Sequence, residues 1–226
     1  MNRFHPPLPR SIPAIGVLVL ATLVGGCAPS KRPEPSGPKP ASAPIELNGV
    51  LTHTGPFSLP PGFPASAEHV IDEQFAPAPF TARQIAQACP VGRTNTFAMT
   101  METGDYVMVH RFTEVSPEGA TIQRLFGEVR GDTNAAAPDL RSEVKEVAWS
   151  ELQRDASFPR EKTRIRSERI SVRAGTYDCW RYDVIEGATI THHWFAKGLA
   201  GPPVKIELHR DGKLFAVTEL TEIRLR

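Results

Sequence analysis

From residue 94 to residue 225 the sequence alternates between strand-like runs and short turn signals, and this pattern limits the fold more than any other feature. Runs rich in β-branched and aromatic residues, bounded by glycine-containing turns, are typical of antiparallel strands joined by hairpins. We therefore predict a domain of the α+β class, mainly an antiparallel meander of about eight strands with one or two short helices. The predicted strands cover residues 94–102, 105–115, 120–129, 164–173, 176–185, 188–197, 203–209 and 213–225.

The two clearest hairpin turns predict which side chains share a face of the sheet. Asp211-Gly212 is typical of a two-residue turn, so Leu208 should lie opposite Phe215 and Ile206 opposite Val217. The same argument at Thr103-Gly104 places two sets of side chains on one face: Phe97, Met99 and Met101 with Tyr106, Met108 and His110.

Two helices are predicted from their start signals. Thr81 and Gln84 have the spacing of a capping box, in which each side chain bonds the backbone N–H of the other residue. That helix should end near Cys89, because a proline follows. Ser150 and Gln153 have the same spacing and predict a second short helix that ends near residue 156.

The first three predicted strands carry apolar side chains on both faces, whereas a sheet with one wet face should alternate more cleanly. Two interpretations remain open: a two-layer core, or a core on one face and a ligand cavity on the other, for which methionines are a suitably adaptable lining. One predicted face holds Met99, Met101, Tyr106, Met108 and Leu125, and the other holds Val107, Val109, Ile122 and Phe126.

The first 27 residues have the features of an export signal. Arg3 and Arg10 precede an apolar run over residues 12–24, which is too short to span a bilayer. The segment Val24-Gly25-Gly26-Cys27 then resembles the lipobox of bacterial lipoproteins, although an ordinary secretory signal with a chance cysteine is an alternative. The resemblance implies cleavage before Cys27, thioether lipidation of its thiol and acylation of its new amino group. Because Ala28 rather than aspartate follows, it also implies the outer membrane, facing the periplasm.

The segment after Cys27 is typical of a tether. Six prolines fall within residues 28–44, where no aliphatic side chain exceeds alanine in size, so the segment should be extended and reach roughly 50 Å. A proline-rich ligand for a partner domain is the alternative. We thus expect a signal peptide over residues 1–26, a lipid-anchored tether over 27–44 and one domain over 45–226, whose residues 45–79 form an irregular arm.

Composition excludes several classes of function. The chain is nearly neutral, with 26 Lys+Arg against 25 Asp+Glu, so we expect no nucleic-acid partner. The adjacent His192 and His193 should point to opposite faces of a strand and cannot easily share a metal ion. We find no motif for a catalytic residue, a metal or a cofactor, and expect none of the three.

Cys89 and Cys179 remain once Cys27 carries lipid. An even pair in an oxidising compartment predicts a disulfide that ties the first helix to the strand over residues 176–185. Two separate buried thiols are the alternative. Neither cysteine lies in a motif typical of a catalytic nucleophile.

The later strands add two groups of side chains. Glu168, Arg181, Asp183 and His192 should share one face, either as an acid–base cluster or, more ordinarily, as cross-strand charge pairs. Trp180, Tyr182 and Phe195 should share one face, opposite to Trp194 and Cys179. These aromatic residues suit either a core or the wall of an apolar groove.

A second resemblance connects these features. The segments Gly175–Val184, His193–Lys197 and Pro203–Lys205 resemble strands of exported proteins related to the half-barrel lipoprotein-carrier proteins of the bacterial envelope. The resemblance implies a curved, half-barrel-like sheet that holds acyl chains. We therefore expect a non-enzymatic, lipid-anchored envelope protein that binds an apolar ligand. A structural or assembly lipoprotein with an envelope protein partner is the alternative, and an envelope enzyme ranks third. The expected lining is Met99, Met101, Tyr106, Met108, Trp180, Tyr182 and Phe195.

Overall fold

The structure is a computed structural model that describes residues 57–129 and 140–225. All of them belong to one compact unit, Leu47–Arg226. The predicted signal peptide over 1–26, the lipidation of Cys27 and the tether over 27–44 lie outside the described residues and stay predictions. Within the described ranges, no helix has both the length and the apolar character needed to cross a membrane.

Nine antiparallel strands form a single sheet in the order β4-β3-β2-β1-β9-β8-β7-β6-β5. Neighbours in the sheet are neighbours in the chain except at the β1–β9 pair, so the fold is a meander whose first strand pairs with its last. The predicted fold class is therefore confirmed. The strands are β1 Thr94–Met101, β2 Gly104–Val115, β3 Gly119–Glu128, β4 Arg141–Ala148, β5 Thr163–Val172, β6 Gly175–Glu186, β7 Thr189–Ala196, β8 Lys205–Arg210 and β9 Lys213–Arg224.

The sequence patterns do not predict β4, which lies at one edge of the sheet. Most of its side chains are exposed, and Val144 exposes 63% of its surface. An edge strand that buries little has no need of apolar alternation. The missing apolar signal thus follows from the position of the strand.

Helix α1, Ala82–Ala88, precedes the first strand in sequence, and helix α2, Trp149–Arg154, lies between β4 and β5. The capping box predicted for α1 is present, because Gln84 N donates to Thr81 Oγ1 and Thr81 N donates to Gln84 Oε1. The capping box predicted for α2 is wrong, since that helix begins at Trp149 without a side-chain cap. Its Gln153 instead hydrogen-bonds to α1 and to the arm.

The larger core lies where the helices and the arm meet the sheet, and we call it the helix-side cluster. Its strand residues come from β2–β4 near one end of the sheet and from β5–β7 near the other. Both ends can reach the same short helices only if the sheet curves around them, as the half-barrel prediction requires. The buried members are Phe63, Ala76, Phe80, Ile85, Cys89, Phe112, Ala120, Ile122, Val147, Trp149, Ile165, Trp180, Tyr182 and Phe195.

A second cluster lies where the tip of the β5–β6 hairpin approaches β9, and we call it the hairpin-side cluster. Arg173 N donates to Glu219 Oε1 at 2.5 Å and Ala174 N donates to Leu220 O at 3.1 Å. These bonds hold the edge hairpin against a strand that is not its neighbour in the sheet. The buried members are Phe97, Val172, Cys179, Trp194, Ala196, Val204 and Leu220.

The predicted disulfide is contradicted by the structure. Cys89 and Cys179 are both free and fully buried. Cys89 belongs to the helix-side cluster and Cys179 to the hairpin-side cluster, so each thiol is surrounded by a different set of side chains. The alternative of two separate buried thiols describes this structure.

The Asp211-Gly212 turn forms as predicted, but the register beyond it does not. Asp211 and Gly212 have φ angles of 50° and 73°, as a type I′ turn requires, and join β8 to β9. A bulge then adds one residue to β9, so Leu208 lies opposite Ala216 rather than Phe215. A one-residue shift exchanges the two faces of a strand. Ile206 consequently pairs with Thr218 instead of Val217.

Candidate functional site

The residues predicted to line a ligand site share one face of the sheet. Directly opposed residues of an antiparallel ladder lie on the same face, and Met99 opposes Tyr106 while Trp180 opposes Phe195. The same face continues across the sheet through four direct pairs: Met99–Thr218, Thr218–Ile206, Ile206–His193 and His193–Tyr182. We call this the helix-side face.

Three of the predicted lining residues are core residues in the structure. Trp180, Tyr182 and Phe195 expose 5%, 0% and 2% of their surfaces and belong to the helix-side cluster. The Tyr182 hydroxyl donates to Pro77 O at 2.7 Å, and Phe63 of the arm lies 5.0 Å from the Trp180 ring. The arm and helices therefore occupy this part of the face, and these three residues do not line an open ligand surface.

The other predicted lining residues lie on a part of the face that the helices and the arm leave open. Met99 is buried, whereas Met101, Tyr106 and Met108 are only half-buried. Met108 packs against the hairpin-side cluster, and the other half-buried members belong to neither cluster. We call the whole set the apolar strip: Met99, Met101, Tyr106, Met108, Phe126, Ile206, Leu208 and Ala216.

Phe126 belongs to the apolar strip in place of the predicted Leu125. Phe126 lies opposite Met108 and stacks on Tyr106 at 5.3 Å between ring centroids, whereas Leu125 lies opposite Val109 on the other face. A bulge at residue 113 of β2 causes the exchange. The same shift brings Ile122, predicted for the other face, to the helix-side face.

A row of three polar side chains crosses the helix-side face next to the apolar strip, and we call it the polar row. Asn95 of β1 lies opposite His110 of β2, and His110 lies opposite Arg124 of β3. Asn95 Nδ2 and Arg124 Nε are buried without a hydrogen-bond partner. Within the described part of the chain the His110 ring has no hydrogen bond, and it meets the Phe97 ring edge-on at 5.6 Å.

The charge state of His110 follows from this environment. Burial, together with the positive charge of Arg124, lowers the pKa of His110 to about 4. The imidazole is therefore neutral at pH 7 and can donate one N–H. The polar row thus carries two donors without acceptors and a third group able to donate.

A second buried arginine lies beside the polar row. Arg93 is 2% exposed, and its Nε donates to Asn95 Oδ1 at 3.2 Å. Its Nη1 donates to the carbonyls of Ala88 and Ala200 at 2.6 and 2.9 Å and approaches Cys89 Sγ at 3.4 Å. Burial raises the pKa of the Cys89 thiol more than the Arg93 charge lowers it. Cys89 is therefore a protonated core residue, not an activated nucleophile.

The predicted charged cluster is present on the opposite face. Arg181 donates to Asp183 Oδ1 at 2.7 Å and to Glu168 Oε2 at 3.0 Å, and the same Asp183 oxygen contacts His192 Nδ1 at 2.5 Å. Arg166 bonds the other oxygen of Asp183. Burial alone would raise the pKa of Asp183, but the His192 hydrogen bond and the two arginines outweigh it and lower the pKa to about 2. Asp183 is thus a permanent anion that holds three strands together.

The other chemical predictions can be placed as well. Tyr182 opposes His193 while Asp183 opposes His192, so the adjacent histidines point to opposite faces, as expected. Within residues 57–129 and 140–225, no group of three or more His, Cys, Asp or Glu side chains could hold a metal ion. Asn95 and Arg124 were not predicted as candidate site residues, because no local sequence pattern marks them. Strand pairing alone brings them together, and the bulge at residue 113 decides which side chains of β3 lie on the helix-side face.

Three solved structures resemble the chain in backbone trace. A protein inferred to be exported, with a YmcC-like fold and from Bacteroides fragilis, is 11% identical with a TM-score of 0.37, and the match covers 60% of this chain and 97% of that chain. A protein inferred to be a lipoprotein from Parabacteroides distasonis is 12% identical with a TM-score of 0.38, covering 60% and 96%. The MucA/MucB complex of Pseudomonas aeruginosa gives 13% identity, a TM-score of 0.40 and coverage of 63% and 54%.

The chain therefore spans about half the length of the matched chain in that complex. No family model matches the sequence, and no curated protein matches it. At these identities and TM-scores, the likenesses support no conclusion about ligand or partner.

Proposed function

We propose that this protein is a lipid-anchored lipoprotein of the cell envelope, in the outer membrane facing the periplasm, and that its curved sheet binds an apolar ligand such as an acyl chain. The lipobox-like Val24-Gly25-Gly26-Cys27 and the following Ala28 support the anchor and its location. The apolar strip supports the binding function. We propose no catalytic role, cofactor or nucleic-acid partner.

The observation that carries the binding proposal is the half-buried state of the apolar strip. Met101, Leu208 and Ala216 lie in one cross-strand row, yet they belong to neither core cluster. When a ligand covers apolar surface that is still accessible after folding, the complex is stabilised by roughly 25 cal/mol per Å². Tyr106 and Phe126 extend the same surface by a stacked pair. A flexible chain of methylene groups suits a surface rich in methionine.

Fluorescence of N-phenyl-1-naphthylamine tests this proposal with the mature chain, residues 27–226, carrying Cys27→Ser. The probe should bind, and Leu208→Gln should weaken its binding by about tenfold, because the amide replaces an apolar contact. Val217→Gln is the matched control, since Val217 is half-buried on the opposite face of the same hairpin. Absence of probe binding, or equal loss in both variants, would contradict the proposal.

A second candidate function is the binding of an envelope protein partner at the open edge of the sheet. Val144 is the observation that favours it, because a 63% exposed valine on an edge strand offers an apolar contact beside unpaired backbone groups. A photo-crosslinking residue at position 144 in cells of the source bacterium would test it. A single dominant adduct there, together with no probe binding at the strip, would favour this function over the first.

A further inference from the structure

We propose that the ligand of the apolar strip is an amphiphile with an anionic headgroup, and that Asn95, His110 and Arg124 bind the headgroup oxygens. This inference rests on the proposed function, because the same face must hold the apolar chain. It adds the chemical class of the headgroup and the residues that select it.

Two buried donors of the polar row have no hydrogen-bond partner. Asn95 is 1% exposed, and its Oδ1 accepts from Arg93 while its Nδ2 has no partner. Arg124 Nε is also buried without a partner. A buried donor without a hydrogen-bond partner destabilises the fold, so two of them in one row indicate a missing acceptor. Carboxylate and phosphate oxygens are pure acceptors and match this need.

No carboxylate of the described residues forms an ion pair with Arg124. Glu143 lies directly across the ladder on β4 but is exposed, and Asp155 follows α2. Burial and the Glu151 charge raise the pKa of Asp155 more than the Lys145, Arg124 and Arg154 charges lower it. Asp155 makes no ion pair with Arg124.

The other charged groups near this row are already satisfied. Lys145 and Glu151 pair with each other at 2.6 Å. Arg93 directs its donors to carbonyl groups, to Asn95 Oδ1 and to Cys89, and it too has no carboxylate partner among the described residues. The side chains that face the row therefore leave Arg124 without an ion-pair partner among the described residues, and an anionic ligand can supply one.

The polar row lies next to the apolar strip on the helix-side face. His110 follows Met108 by two residues on β2, and Arg124 precedes Phe126 by two residues on β3. Same-face neighbours along a strand are about 7 Å apart, so the polar row borders the apolar strip directly. One molecule can place its headgroup on the row and its chain on the strip. A ligand without an acceptor in its headgroup would leave Asn95 Nδ2 and Arg124 Nε without a hydrogen-bond partner.

The test compares ligands that share a chain and differ in the headgroup: palmitate, hexadecyl phosphate and methyl palmitate, each displacing N-phenyl-1-naphthylamine from the mature Cys27→Ser chain. At least one anionic ligand should bind tenfold or more tightly than the ester, and its identity separates a carboxylate from a phosphate. Equal affinity for all three would overturn this inference and leave the proposed function intact, because bound waters would then satisfy the row. Binding of none would overturn both.

Arg124→Gln should abolish the preference for the anionic ligand without weakening the binding of methyl palmitate. Arg124→Lys should retain most of that preference. Arg111→Gln is the matched control, because Arg111 is exposed on the opposite face of β2 and lies opposite Gln123. The melting temperature of unliganded Arg124→Gln should stay level or rise, since the change removes an unpaired charge. An anion preference that survives in Arg124→Gln would overturn the assignment of this residue.

Discussion

Gln153 of α2 accepts a hydrogen bond from the backbone N–H of Ala82, the first residue of α1, at 2.9 Å across 71 positions of sequence. Its amide nitrogen donates to Glu68 O in the arm at 2.7 Å. The first N–H groups of a helix have no partner within the helix, so Gln153 supplies one from outside. One buried side chain thus joins both helices to the arm, over the curved sheet.

Gln153→Ala should lower the free energy of unfolding by about 1–3 kcal/mol, because it leaves a partly buried N–H and a partly buried carbonyl unsatisfied. Urea unfolding followed by tryptophan fluorescence measures the change. Gln87→Ala in α1 is the control, since Gln87 is exposed and alanine favours helix. Equal stability of the two variants would mean that water replaces the Gln153 contacts.

Stability should fall as the pH is lowered from about 6.5 towards 4. Burial lowers the pKa values of His110 and His193 to about 4, helped by Arg124 in the first case and by His192 in the second. Between these pH values the unfolded chain therefore binds protons at the two histidines, whereas the folded chain does not. Adding acid consequently favours the unfolded state. Each histidine should contribute about 1–2 kcal/mol of loss by pH 5.

Urea unfolding at pH 7.5 and pH 5.0 measures this loss, and His193→Phe is the informative variant. His193 stacks on Phe158 at 4.6 Å, so phenylalanine keeps the ring contact and removes the proton site. The variant should lose less stability between the two pH values than the parent does. An identical loss would show that His193 does not titrate in this range.

Asp183→Asn should destabilise the fold by about 3 kcal/mol, because Arg181 and Arg166 lose the charge that pairs with them. The Asp183 side chain is 8% exposed, so solvent compensates little. Asp178→Asn, at an exposed position of the same strand, should change stability by less than about 0.5 kcal/mol. A small effect at position 183 would mean that the charged cluster contributes no net stability.

Local turns could be read from the sequence, whereas bulges could not. The β1–β2 turn lies one residue earlier than predicted, at Glu102-Thr103, because Met101 pairs with Gly104. The resulting two-residue change of register keeps every side chain on its face, so the prediction that Met99, Tyr106 and Met108 share a face is confirmed. Because of the bulge at residue 113, Phe126 rather than Leu125 lies on the face of Met108. Because of the bulge in β9, Ala216 rather than Phe215 lies opposite Leu208. Each bulge is one extra residue whose position depends on contacts with the partner strand, so no local pattern reveals it.

The candidate site was only partly predictable for the same reason. Met99, Met101, Tyr106 and Met108 share a face by local alternation, and they form half of the apolar strip. Trp180, Tyr182 and Phe195 also share that face, but the arm and helices cover them, and arm packing has no periodic signal. The polar row joins three strands, and Arg124 reaches it only through the bulged register.

Cys27→Ser should abolish membrane association and leave the precursor uncleaved by the lipoprotein peptidase. The expectation follows from the lipobox-like Val24-Gly25-Gly26-Cys27, since the thiol receives the first lipid. Membrane fractionation after a high-salt wash and intact mass measure the outcome. Ser30→Ala within the tether is the control and should behave as the parent. A Cys27→Ser protein that stays with the membranes would contradict the lipobox assignment.

Cys89 and Cys179 should be free thiols that react only when the protein unfolds. Burial, with the nearby Asp178 and Glu168 charges, raises the pKa of Cys179 to about 12, and burial also raises the pKa of Cys89. Both thiols are thus protonated and inaccessible at pH 8, so the Cys27→Ser chain should give no Ellman reaction when native and two equivalents in guanidinium. A reductant should leave the melting temperature unchanged, because there is no crosslink whose loss would loosen the unfolded chain. Recovery of a Cys89–Cys179 peptide by non-reducing mapping would contradict this arrangement, since the helix-side and hairpin-side clusters would then have to exchange partners.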